Sequence, residues 1–169
     1  MKLPTLPRRS TRVSFAVLSL VLVGGCVSPP VAVPTPSPSA ELITATGTVE
    51  WVFDGDTIRV DGARIRLIGI DSPELDECGH DEALAFMQDL VAGREVVLTS
   101  VVGRDDFDQY GRLLRYVGVD DVDAGLALIE AGLAVARFDG RDHHGWHPRE
   151  DDYIAADLAA DDYVCPATE

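Results

Sequence analysis

With 169 residues and 46% hydrophobic content, the chain has room for one modest domain with a packed core, plus an N-terminal targeting segment. Its 29 acidic residues outnumber the 14 basic ones, for a net charge of −15, and Lys2 is the sole lysine. That balance excludes a broad basic face of the kind that holds nucleic acid through many phosphate contacts.

The first forty residues read as targeting, not fold. Lys2, Arg8, Arg9 and Arg12 form a positive region ahead of an apolar run, Val13 to Val23, which is short for a membrane span. The run ends in Val23-Gly24-Gly25-Cys26, the pattern of a bacterial or archaeal lipobox, in which Cys26 would carry lipid and become the new N-terminus. An ordinary signal peptide with a chance cysteine is the alternative, and Arg8-Arg9 also admits twin-arginine export. Val27 to Ser39, rich in proline and small residues, cannot bury a core. At ~3.1 Å per residue it would space the domain roughly 40 Å from the membrane. The expectation is a signal peptide over 1–25, a linker over 26–40 and a domain over 41–169, exported and lipid-anchored to the outer face of the cell membrane or released from it.

Without its first 25 residues the chain keeps ten basic residues against 29 acidic ones, a net −19. The acid is uneven, with 13 carboxylates and three arginines between Asp120 and Glu169. A lysine-free acidic surface resembles that of proteins working in concentrated salt, where the Debye length falls to ~3 Å and only contact pairs survive. Three cysteines occur. If Cys26 is lipidated, Cys78 and Cys165 remain, either as a disulfide in an oxidising compartment or as two buried thiols.

The domain opens with β-prone Leu42 to Phe53, an Asp54-Gly55 turn, a strand from Asp56 to Val60, an Asp61-Gly62 turn, and a strand from Ala63 to Ile70. Trp51 and Phe53 read as strand core residues. A helix over Asp81 to Val91 carries Ala83, Phe86, Met87, Leu90 and Val91 on one stripe and ends at Gly93. Strands follow over Glu95 to Val102 and Leu113 to Val119. A second helix is predicted over Val122 to Ala131, with Val122, Leu126 and Ile129 inward, and a third after Pro148 through Ile154 and Leu158. Five strands with a helix inserted after the third predict a small closed barrel with packed helices.

Three clusters carry chemistry. Asp54-Gly55-Asp56-Thr57 is by itself a turn signal. Arg64-Ile65-Arg66-Leu67-Ile68-Gly69-Ile70-Asp71-Ser72-Pro73-Glu74 ends a strand at a proline that fixes φ and projects Glu74 from a rigid corner. Asp108-Gln109-Tyr110-Gly111-Arg112 is a turn that delivers an arginine to the start of a strand. Arg66 and Asp71, five positions apart, would face opposite sides of a regular strand. Sharing one site therefore requires an irregularity between Ile68 and Asp71, where Gly69 permits it. Phosphodiester cleavage uses these residue types: Asp56 and Asp71 suit a hard dication, the Arg66 and Arg112 forks suit a phosphate, and Glu74 suits a water. His143, His144 and His147 lie in a polar, glycine-punctuated stretch and read as a solvated loop in preference to a metal site, with Trp146 packing beside them.

DGDT, RLIGIDSPE and DQYGR, in this order, resemble the staphylococcal nuclease (thermonuclease) family, and Gly132-Leu133-Ala134 agrees. The resemblance spans about Thr46 to Val164. It implies an α+β, mainly β fold, a five-stranded OB-fold barrel with three packed helices, and a calcium-dependent endonuclease acting on DNA and RNA to leave 3′-phosphate ends; nothing in the sequence suggests more than a monomer. It assigns Asp56, Asp71 and the Ser72 backbone carbonyl to calcium, Arg66, Arg112 and Glu74 to catalysis, and Tyr110 to the nucleotide phosphate. It also places cysteines at Cys78 and Cys165, as in many exported relatives. Gln109 stands where the best-known member has lysine, and Phe138 and Gly140 fall where it has tyrosines, so phosphate and base contacts are expected to differ. A non-catalytic OB module that binds nucleic acid or a surface partner is the alternative. A structural envelope lipoprotein would leave all three motifs unexplained.

Overall fold

The computed structural model describes residues 40–161 and 163–165; the signal segment, Cys26 and the linker as far as Ser39 lie outside them. The chain forms β1 (Leu42–Val52), β2 (Thr57–Val60), β3 (Ala63–Leu67), β4 (Ile70–Asp71), α1 (His80–Val91), β5 (Glu95–Val101), β6 (Leu113–Val119), β7 (Val122–Asp123), α2 (Ala124–Glu130), β8 (Val135–Ala136) and α3 (Glu150–Ala159), with a 3₁₀ turn over Gly140–Asp142 before α3. The main sheet runs β3-β2-β1-β5-β6-β7, and β3 pairs in parallel with β6 to close a five-stranded mixed barrel. This is the expected OB-type α+β architecture with three helices.

Closure depends on β1 serving two partners. Leu42 to Thr48 pair with β5, and Val49 to Val52 pair with β2. Gly47 stands where the strand changes partner; a Cβ there would lie 2.5 Å from Val60 Cγ1. The register with β2 slips between Val49 and Trp51. A bulge inverts the side-chain alternation beyond it. Val52 therefore faces the core, and Trp51, expected there, is 61% exposed. Phe53, also expected in the core, is half-buried outside it, with the Arg59 and Arg64 guanidinia 5.1 and 4.6 Å from its ring centroid. The Asp61-Gly62 turn appears as predicted, with both residues at positive φ (46° and 83°), as a tight two-residue hairpin requires.

Interior positions Ile58, Ile65, Met87, Val96, Val117, Leu128 and Ile129 form the core, with α1 and α2 packed against the barrel. One helix expectation needs correction. Val122 is not helical: Asp120 and Asp121 take left-handed φ and fold Val122 back onto Val119 as β7, leaving it exposed. Asp123 then caps α2, accepting from the backbone N–H groups of Gly125 and Leu126 at 3.0 and 3.3 Å. In α3 Leu158 is exposed, and the buried residue is Tyr153.

Cys78 and Cys165 are joined by a disulfide with Cα atoms 6.0 Å apart, tying the segment after α3 to the loop that precedes α1. The tie is reinforced nearby, where the Tyr163 hydroxyl donates to Glu82 Oε1 at 2.6 Å. The bridge spans 87 residues. On the chain-entropy model, Cys78→Ser with Cys165→Ser should cost roughly 4 kcal/mol in urea denaturation, and reductant should produce the same loss in the parent protein alone.

Candidate nuclease site at the mouth of the barrel

The strand bearing Arg66 ends at Leu67, and a turn at Ile68-Gly69 redirects the chain into β4. Gly69 has φ +81°, a conformation open to glycine, and a Cβ there would meet the His147 ring at 2.7 Å. This is the irregularity that the spacing of Arg66 and Asp71 demands. β4 leaves the barrel and pairs with β8, Ile70 opposite Ala136 and Asp71 opposite Val135. The redirection brings Asp71 Oδ1 to 3.0 Å from Arg66 Nη2.

Asp56 is the hub. It is 4% exposed, and all of its acceptor capacity is used. Oδ1 accepts from Arg66 Nε and Thr57 Oγ1, each at 3.1 Å. Oδ2 accepts from the Ser72 backbone N–H at 2.9 Å and from Ser72 Oγ at 3.1 Å. Arg66 is almost equally committed. Its Nη1 donates to the carbonyls of Leu67 and Ile70, so four of its five N–H groups serve the protein and one faces outward. Asp56, Arg66, Asp71 and Ser72 are thus locked into one network drawn from β3, β4 and the loop before β2.

Arg112 enters from the other side. Its Nε donates to Asp108 Oδ2 at 2.6 Å and its Nη1 to Thr57 Oγ1 at 3.2 Å, which leaves three N–H groups free. Asp108 also accepts from the backbone N–H groups of Tyr110 and Arg112 at 2.9 Å, so the Asp-Gln-Tyr-Gly-Arg turn is an anchor for this guanidinium. Burial pushes the Asp108 carboxyl up, but the bonds from Arg112 outweigh it and hold the pKa below the ordinary value. Tyr110 is exposed, its ring centroid 5.4 Å from Arg112 Cζ.

Arg66, Asp71, Glu74, Tyr110 and Arg112 line one cleft of about 630 Å³. Asp56 and Ser72 are not in its lining: Asp56 is bonded to Arg66, and Ser72, next to Asp71, is bonded to Asp56. The residues assigned from the sequence motifs thus line the cleft or are bonded into the network that supports it. Burial raises the pKa of Asp71 despite the Arg66 guanidinium, with Asp56 and Glu74 adding repulsion; outside the cleft, burial with repulsion from Asp56 raises that of Asp54. Among the described residues no three carboxylate, imidazole or thiol side chains converge as a ligand set. A hard cation held here would draw on Asp71, the Ser72 carbonyl and Asp56. The donor chemistry fits, and Asp56 joins by exchanging one of its four protein donors for the ion.

The wall beside Arg66 is built on Phe138, a position where the family resemblance predicts altered contacts; what holds it there has no sequence signal. Phe138, at φ 57°, places its ring centroid 5.4 Å from Arg66 Cζ, and His144 meets that ring edge-on at 5.2 Å. Arg104 holds this wall by donating to the carbonyls of His144, Gly145 and Trp146. Only the hydrogen bonding of a folded loop reveals such a clamp. His147, expected in solvent with its neighbours, is 1% exposed. Its Nδ1 pairs with the Tyr116 hydroxyl at 2.8 Å, its Nε2 has no partner, and burial pushes its pKa down to about 4.

Two outcomes follow for stability. Asp56→Asn should lose about 3 kcal/mol or more in denaturant at neutral pH, because it strands buried Arg66 and Ser72 donors, whereas Asp71→Asn should stay within about 1 kcal/mol. Because the folded pKa of His147 lies below its ordinary 6.5, its neutral form stabilises the fold above that pH, and the contribution drains away as pH falls towards 4. The stability difference between the parent and His147→Leu should therefore shrink by up to about 3 kcal/mol across that window in a pH series of melts.

A model described as staphylococcal nuclease homologue matches residues 64–160, a span that starts after the Asp54-Thr57 cluster. Over 93 residues the chain is 37% identical to a protein of Escherichia coli O157:H7 named an uncharacterized endonuclease, covering 52% of this chain and 58% of that one. It is 39% identical over 101 residues to the succinoglycan biosynthesis protein ExoI of Rhizobium meliloti, covering 51% and 49%. It is 33% identical over 109 residues to a protein ParB of Escherichia coli, covering 56% and 59%. The chain thus spans about half the length of the curated relatives it matches. With more than half of its length matched by the family model, and with the barrel and cleft described above, the chain belongs to the staphylococcal nuclease homologue family.

Proposed function

We propose that this protein is an exported, lipid-anchored endonuclease that hydrolyses phosphodiester bonds of DNA and RNA with calcium and leaves 3′-phosphate ends. The observation that carries the reading is the convergence of Arg66, Arg112, Asp71 and Glu74 on one cleft, with Asp56 fixing Arg66 from below. Export and anchoring are supported by the apolar run ahead of Cys26 and by the Cys78–Cys165 disulfide, a bond at home in an oxidising compartment.

The three free N–H groups of Arg112 bind the equatorial oxygens of the scissile phosphate and gain strength as charge builds there. Arg66 adds its one remaining donor from the opposite wall. Glu74, exposed at the cleft edge, orients a water and takes its proton as oxygen bonds to phosphorus. The 5′-oxygen leaves and is protonated from solvent, and the phosphate stays on the 3′ side. Asp71, the Ser72 carbonyl and Asp56 would hold a calcium ion, which when bound would supply charge neutralisation for the phosphate. Tyr110 covers the outer phosphate edge beside Arg112.

Digestion of single-stranded DNA with and without calcium tests the reading. The parent should cut only with the ion. Arg112→Ala should lose at least about a hundredfold in kcat, as for removal of a preorganised transition-state donor, with the melting temperature preserved. Glu74→Gln should lose comparably without loss of calcium binding. Undiminished cutting by both variants, or none by the parent, would overturn the proposal. If the acidic surface is an adaptation to brine, activity measured against salt should peak in concentrated salt.

A further inference from the structure

The described domain contains ten arginines, and eight of them donate to a carboxylate, a hydroxyl or a backbone carbonyl. Among the described residues only Arg59 and Arg64 have neither a salt bridge nor a side-chain hydrogen bond. In a chain so rich in carboxylates, two unpaired cations side by side are unexpected. They are also not scattered: Arg59 lies directly opposite Arg64 across the β2–β3 pair, and both guanidinia rest on the Phe53 ring.

Strand parity connects them to the cleft. Ile58, Val60 and Ile65 point into the barrel, so Thr57, Arg59, Arg64 and Arg66 share the outer face. Trp51, turned outward by the bulge in β1, lies opposite Arg59 in the same row. The row Trp51–Arg59–Arg64 sits next to the row Thr57–Arg66, and Arg64 is two residues from Arg66, roughly 7 Å along the strand. This strand face thus leads from Arg66 at the cleft to the two free guanidinia, which share the Phe53 ring, and on to Trp51.

We propose that this outer face of β1, β2 and β3 is an extended subsite for the single-stranded segment of substrate that flanks the scissile phosphate. Arg59 and Arg64 contact backbone phosphates, while the exposed Trp51 stacks on a base and the Phe53 ring supports the two guanidinia. The proposal rests on the nuclease reading for the identity of the strand and deepens it. Three features favour a nucleic acid strand over a protein partner: the cations have no carboxylate partner in an acidic protein, an exposed aromatic ring lies beside them, and they share a strand face with Arg66 of the cleft. Stacking rings beside backbone-tracking cations are the chemistry that binds single strands with little sequence preference. In a protein with no lysine after Lys2, this pair is the reserve of positive charge that substrate capture requires.

The test compares the parent with Arg59→Ala/Arg64→Ala and with Trp51→Ala, all full-length. Binding of a fluorescein-labelled oligothymidylate is read by anisotropy in calcium-free buffer, independently of cutting. The double variant should bind roughly tenfold more weakly, and its log affinity against log salt should be shallower by about 1.4, as for two lost single-strand phosphate contacts. Trp51→Ala should weaken binding roughly fivefold without changing that slope. In cleavage, KM for the long oligonucleotide should rise with kcat unchanged, while hydrolysis of a thymidine nitrophenyl diester, too short to reach the face, should be unaltered. Equal losses on both substrates would show a merely structural patch and overturn the proposal. So would unchanged binding and slope in the double variant. Arg59→Lys/Arg64→Lys should restore the slope, and failure to do so in a folded variant also counts against it. If the parent binds the oligonucleotide through this face but cuts neither substrate, the nuclease reading fails and the subsite stands.

Discussion

The ion pair between Asp56 and Arg66, buried under the cleft, organises the rest of the site. A carboxylate and a guanidinium taken out of water survive only when each remaining lone pair and proton finds a partner. Asp56 meets that condition with four donors, and Arg66 with two carboxylates and two carbonyls. Those partners come from the loop before β2, from β3 and from β4. Satisfying the pair therefore fixes three segments at once. The Gly69 kink, the departure of β4 towards β8 and the placement of Asp71 all serve it, and Arg66 reaches the cleft already immobilised.

The two arginines then divide the work. Arg66 is a strut that spends most of its donors on the protein, while Arg112, steadied by Asp108, keeps three for a ligand. A site built this way holds its charge before substrate arrives, which is the condition for electrostatic stabilisation without reorganisation. It also explains how a chain of net −15 can attract a phosphate at all. Seven of the ten arginines of the described domain pair with carboxylates and Arg104 is spent on carbonyls, so unspent donors remain at Arg112 and along Arg59 and Arg64.

Much of this was legible in the residues. The turn at Asp61-Gly62, the periodic stripe of α1 and the five-strand order are local signals. The five-residue offset between Arg66 and Asp71 disclosed the kink at Gly69 through strand parity alone. The failures also have physical causes. A single bulge at Glu50 reversed the alternation of β1 and moved Trp51 from the expected core to the surface, which no pattern in the strand announces. Asp120-Asp121 adopted the left-handed turn more often given to Asn-Gly or Asp-Gly, so Val122 went to a strand instead of a helix. His147 sits in a stretch whose composition says solvent, yet Gly69 and Tyr116, each distant in sequence, close over it. The Arg104 clamp depends on backbone carbonyls, which carry no sequence signature.

The central claim is that Asp56 holds Arg66 in a prebuilt cleft, where Arg66 and Arg112 would together take one phosphate. A crystal structure of the full chain grown with calcium and a deoxythymidine bisphosphate tests it most directly. The account requires the ion between Asp71 and the Ser72 carbonyl, a phosphate bridging Arg66 and Arg112, and Asp56 still bonded to the Ser72 backbone N–H. A nucleotide lodged elsewhere, with both arginines retaining only their protein partners, would contradict it.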